Sequence, residues 1–99
     1  MGKFIVELHD NGVVRKSWTV AARRAAIVGV LDGKWPYLPD NESVVSELPY
    51  QYRKAYGRCF TWWQAQSGLC DVLRCDLYSA RDGAPMGSIF ARYSKQGEK

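Results

Sequence analysis

His9, Cys59, Cys70 and Cys75 are the side chains best suited to covalent or metal chemistry in this sequence. A thiolate nucleophile needs a base beside it, and a structural zinc needs ligands at short, recognisable intervals. The chain holds a single histidine, and none of these residues forms a C-x-x-C or H-x-x-x-H pair. Carboxylates are spread singly outside the stretch 40–47, so paired-acid catalysis has no anchor, and no glycine-rich loop could cradle phosphates. The reading is no catalytic residue, no metal site and no cofactor. The cysteines then read as small hydrophobes. Cys70 and Cys75, on one extended strand, would stand about 16 Å apart, too far to bridge. Three unbridged thiols suit a reduced, cytoplasmic protein.

Binding chemistry is better represented. The stretch 49–68, PYQYRKAYGRCFTWWQAQSG, carries six aromatic residues and three cations, Arg53, Lys54 and Arg58. Tyr52, Tyr56, Cys59, Phe60 and Trp63 recur at steps of three and four, which predicts one helix between Pro49 and Gly68, about eighteen residues and about 27 Å long. Pro49 suits its first turn and Gly68 its stop. Trp62 and Trp63 lie about 100° apart on such a helix, so one faces the core and the other its edge or the solvent. Cations interleaved with rings are also the pattern that tracks phosphates and stacks on bases. That makes nucleic-acid binding through this basic aromatic helix the second reading, behind protein binding.

The net charge is +4. Basic residues dominate 1–31 and 49–68, while 32–48 holds Asp32, Asp40, Glu42 and Glu47 against Lys34 alone. This alternation lets an acidic loop face a basic helix within one molecule, unlike the one-sided field of a dedicated nucleic-acid binder. No apolar run approaches bilayer length, no stretch reads as a leader, and no membrane role is expected. The reading is a single globular domain over 1–99, with 94–99 as a frayed tail.

Around the helix, two hairpins are predicted. Phe4, Val6 and Leu8 alternate with Ile5, Glu7 and His9, and Asp10-Asn11-Gly12 follows as a turn. A three-residue loop would set Phe4, Val6 and Leu8 opposite Trp18, Lys16 and Val14, keeping the apolar residues on one face. The same argument at Arg81-Asp82-Gly83 pairs Leu77 with Gly87, Cys75 with Ile89 and Leu73 with Ala91. A short helix is expected from about Ala21 to Leu31, ended by Asp32-Gly33. Trp35, Tyr37 and Leu38 should pack an irregular 34–47 segment onto the domain, with one helical turn near Asn41–Leu48. The fold class is α+β: two hairpins form a four-stranded antiparallel sheet with two helices on one face, in the order ββααββ.

Interface centres favour Trp, Tyr, Met and Arg, and this chain has four tryptophans and six tyrosines. So small a domain cannot hide every ring. The expected function is a small non-enzymatic protein-binding module, in the style of the inhibitors with which phages and mobile elements modulate host complexes, anti-CRISPR proteins among them. It would act by steric occupation. The candidate partner-binding residues are Trp35, Tyr37, Arg53, Arg58, Trp62, Arg74 and Phe90. The expected partner is a host protein or complex, and a second copy of the chain is the other protein candidate.

Overall fold

The computed structural model describes residues 2–24, 37–59, 63–65 and 72–94. In chain order the elements are β1 (Lys3–Asp10), β2 (Val13–Arg24), β3 (Tyr37–Pro39), α1 (Asn41–Glu47), α2 (Tyr50–Cys59), β4 (Gln64–Ala65), β5 (Val72–Tyr78) and β6 (Pro85–Ser94). The strands form one antiparallel sheet in the order β3-β2-β1-β6-β5-β4. It curls into a half-barrel. The expected four-stranded ββααββ arrangement is therefore wrong.

Two local choices make the difference. Val20 and Ala22 are 4% and 6% exposed, while Ala21, Arg23 and Arg24 are exposed. That alternation has a period of two, so β2 runs through the expected start of a helix and ends only at Arg24. The backbone it presents there pairs with β3, Ala22 opposite Pro39 and Arg24 opposite Tyr37. Pro39 is tolerated because β3 lies at the sheet's edge. The rest of the expected helix, 25–31, lies outside the described residues.

The second difference is the end of α2, which is ten residues long and reaches Cys59 rather than Gly68. Tyr52, Ala55 and Tyr56, at spacings of three and four, already bury its inner stripe. Gln64 and Ala65 then pair with Arg74 and Leu73 at the edge of β5, where a helix could not satisfy the open ladder. The segment 41–48 is more regular than one turn, since α1 spans seven residues before Leu48 turns extended ahead of Pro49.

The first hairpin reconciles two demands that its sequence sets against each other. Asn11 and Gly12 have φ of 60° and 78°, the left-handed pair of a two-residue turn. Alone, such a turn would put Phe4, Val6 and Leu8 opposite polar residues. A bulge between Leu8 and His9 leaves Arg15 unmatched, and the register becomes Phe4 with Val20, Val6 with Trp18 and Leu8 with Lys16. This is two residues from the expected register, with the same face inward.

The second hairpin has the expected pairs Leu73–Ala91, Cys75–Ile89 and Leu77–Gly87. Its turn is wider, with Ser79 and Ala84 joined by a 2.8 Å backbone bond, and Tyr78 pairs with Pro85 rather than Met86. The hairpins join through β1 and β6, Phe4 beside Tyr93 and Leu8 beside Ile89.

The concave side is the core. Phe4, Val6, Leu8, Leu73, Cys75, Leu77, Ile89 and Ala91 are fully buried there. Val44 and Leu48 from the α1 region, Tyr52, Ala55 and Tyr56 from α2, and Trp63 close over them. Asn41 ties this cover together, its side-chain oxygen accepting from Tyr56 Oη at 2.7 Å and Trp63 Nε1 at 3.1 Å. Lys16, the polar misfit on the inward face, reaches the end of α1 and donates to Glu47 at its backbone carbonyl, 2.7 Å, and carboxylate, 3.1 Å.

Candidate binding face on the outer side of the sheet

Strand alternation sends Ile5, Glu7 and His9 of β1 to the convex side, together with Ser88, Phe90 and Arg92 of β6 and Arg74 and Asp76 of β5. Cross-strand register makes Phe90 the common neighbour, paired with Glu7 on one side and Arg74 on the other.

The contacts around that ring form one connected group. The Arg74 guanidinium carbon lies 5.5 Å from the Phe90 centroid. The His9 ring packs on the same residue, centroid to centroid 4.7 Å, tilted by 57°. His9 Nε2 is 2.9 Å from Glu7 Oε1. Arg74 Nε donates to Asp76 Oδ1 at 2.8 Å, and Ser88 Oγ donates to the same oxygen at 2.7 Å. Partial burial alone would raise the pKa of Asp76. The hydrogen bonds from Arg74 and Ser88 outweigh it and hold the carboxyl below its usual range. The result is an arginine held over an aromatic ring by a carboxylate that stays ionised. Ile5 and Tyr78 remain 40% and 42% exposed.

His9 is engaged by the Glu7 carboxylate and the Phe90 ring, and its cross-strand neighbour Ser88 donates its hydroxyl to Asp76. Cys75 is on the opposite, buried side. Among the described residues no group of three or more His, Cys, Asp and Glu side chains is placed to hold a metal. No helix among them is long and apolar enough to cross a membrane.

Of the seven candidate residues, the structure brings together Arg74 and Phe90. Tyr37 belongs to β3 and stacks on Tyr93, with centroids 5.3 Å apart and planes within 6°. Arg53 is exposed on α2, where its Nη2 donates to the Leu48 carbonyl at 3.0 Å. Arg58 falls within α2, but its side chain lies outside the described residues, as do Trp35 and Trp62. Trp63 is the inward member of the tryptophan pair, only 5% exposed.

Sequence reading missed Glu7, His9, Asp76 and Ser88. Their alternation is visible, since Glu7 and His9 share a side with Ile5. What no local pattern announces is that β1 lies beside β6, which brings His9 to Phe90 across 81 positions of chain. Compared with known proteins, the chain matches no family model, no curated protein and no solved structure.

Proposed function

We propose that this protein is a non-enzymatic binding module that acts by covering a surface of another protein with the convex face of its sheet. The observation that carries this reading is the Arg74–Phe90–His9 group at the centre of the convex face. An aromatic ring flanked by an arginine is the chemistry of interface centres. Here Asp76 and Ser88 fix the arginine in advance, so little side-chain freedom is lost when a partner arrives. The two carboxylates of the face, Glu7 and Asp76, are each engaged within it. A net charge of +4 favours an acidic partner. The matching surface is a shallow apolar pocket for Phe90 with carboxylates at its rim for Arg74 and Arg92. The action is steric: the partner loses whatever that pocket served, as in the small phage-type modulators whose chain style this sequence shares.

The test is capture from a nuclease-treated lysate of the source cells, run in parallel with the wild-type protein and with Phe90→Ala and Arg74→Ala. A protein retained by the wild type and lost with both variants supports the proposal. Equal retention by the variants, or capture that nuclease abolishes, overturns it. Light scattering on the same three proteins separates a second copy from a foreign partner, because self-association through this face would disappear with Phe90→Ala.

A further inference from the structure

A second site of different character lies where the first turn of α2 faces the β5–β6 turn. Tyr50, Gln51 and Lys54 form one wall, and Ser79, Ala80, Arg81 and Met86 the other, around an open cleft of about 440 Å³. That volume falls within the ordinary range for small-molecule sites. Tyr50 is the most exposed large apolar residue described, at 68%. The Lys54 ammonium sits 5.7 Å from its ring centroid, one helical turn further on.

Among the described residues neither Lys54 nor Arg81 makes an ion pair, although Lys16, Arg23 and Arg74 each do. The nearest acid in sequence, Asp82, turns its Oδ1 to the Ala84 N–H at 3.1 Å. The Arg81 N–H donates to Ser79 Oγ at 3.1 Å, and the Gly83 N–H to the Ser79 carbonyl at 3.0 Å, so the turn that presents Arg81 is ordered by its own bonds. The cleft therefore combines two cations that make no ion pair among the described residues, a largely exposed ring and apolar surface from Ala80 and Met86.

We infer that this cleft takes a nucleotide unit, free or within a single strand, with phosphate between Lys54 and Arg81 and the base against Tyr50. An acidic side chain would neutralise the cations but leave the ring wet. A nucleotide brings the anion and the flat face in one ligand. The site lies apart from the Arg74–Phe90 face and does not depend on the reading proposed for it.

The experiment titrates the protein with fluorescein-labelled deoxythymidine decamer by anisotropy, and with thymidine monophosphate by chemical-shift mapping, at several salt concentrations. Micromolar decamer binding is expected in low salt. Two phosphate contacts predict a log–log salt slope of about −1.4 for a single strand. Lys54→Gln and Arg81→Gln should each remove about half of that slope. Tyr50→Ala should weaken binding by roughly five- to a hundredfold, the span of base–aromatic stacking. All three residues are at the surface, and an unchanged melting curve checks each fold. Arg74→Ala should bind like the wild type.

Tight monophosphate binding with no gain from the decamer identifies a free nucleotide as the ligand. A large gain identifies a single strand, and either result supports the inference. It is overturned if neither probe binds, if Tyr50→Ala binds as well as the wild type, or if Arg74→Ala loses binding equally. Displacement of the decamer by an equal charge of polyglutamate also overturns it, because the base would then contribute nothing.

Discussion

Asn41 shows how much one side chain can hold. It begins α1, yet its carbonyl oxygen is the acceptor for two buried donors, Tyr56 Oη and Trp63 Nε1, from the rest of the cover. Replacing it by alanine removes the acceptor that both donors share, and a stranded buried donor costs about 1–3 kcal/mol. Asn41→Ala should lower the unfolding free energy by on the order of 2 kcal/mol in urea titrations. Asn41→Asp, which keeps an acceptor and places a negative charge at a helix start, should retain most of it. The same tyrosine predicts an alkaline limit. Burial, more than any neighbouring charge, raises the Tyr56 hydroxyl well above its ordinary value of 10.0. Tyr52 is raised first by its hydrogen bond to Asp10 and then by burial. A group that holds its proton more tightly when folded contributes fully below its unfolded value, and the contribution fades as pH rises through the folded one. Stability should therefore fall as pH climbs above 10, and Tyr56→Phe should fall less steeply over that range. Unfolding curves collected from pH 8 to about pH 11 would show it, centred on the ordinary tyrosine value.

At the scale of elements, Gly87 is a tightly constrained position in β6. Its φ of +149° disfavours a side chain, and a Cβ there would lie 2.5 Å from the His9 carbonyl oxygen. Gly87→Ala should cost about 1–3 kcal/mol from backbone strain, and the amides of His9 and Ser88 should lose hydrogen-exchange protection before those of β5. The position also shows what a sequence can reveal. The β5–β6 register was legible because alternation along Leu73, Cys75, Leu77, Ile89 and Ala91 admits one apolar face. The β1–β2 register was not, because the turn preference of Asn11-Gly12 and the burial of Phe4, Val6 and Leu8 agree only through a bulge at Arg15, which no residue type marks. Ala21 to Arg24 misled for a related reason. Alanine and arginine favour helix, but the core took Val20 and Ala22 in alternation, and β3 supplied a hydrogen-bonding partner from a distant part of the chain. Half of the candidate face was readable in the same way: Arg74 and Phe90 follow from one hairpin, whereas His9 and Asp76 become members only through long-range register and local ion pairing.

Over the molecule, the curled sheet has two sides of different character. Its concave side is covered by α1, α2 and Trp63, and its convex side carries the Phe90 stack. Phe90 is half-buried and remote from the cover, so Phe90→Ala should lower stability by only about 1 kcal/mol, the usual size for such changes. Loss of partner affinity should be larger, at least about 2 kcal/mol if the ring is an interface anchor. Paired calorimetric melts and binding isotherms on one variant would separate the effects. Equal losses would mark the ring as structural.

The neighbourhood of Tyr93 has a mechanical corollary. Its hydroxyl accepts from the Gly2 N–H at 3.1 Å, its ring stacks on Tyr37, and Lys3 pairs with Ser94 on adjacent antiparallel strands. Tension applied between Lys3 and Ser94 would meet these rungs in succession, peeling them like a zip instead of shearing them together. A single-molecule stretching trace taken from those two points should yield at low force, and moving one handle to the far end of β6 should raise the rupture force.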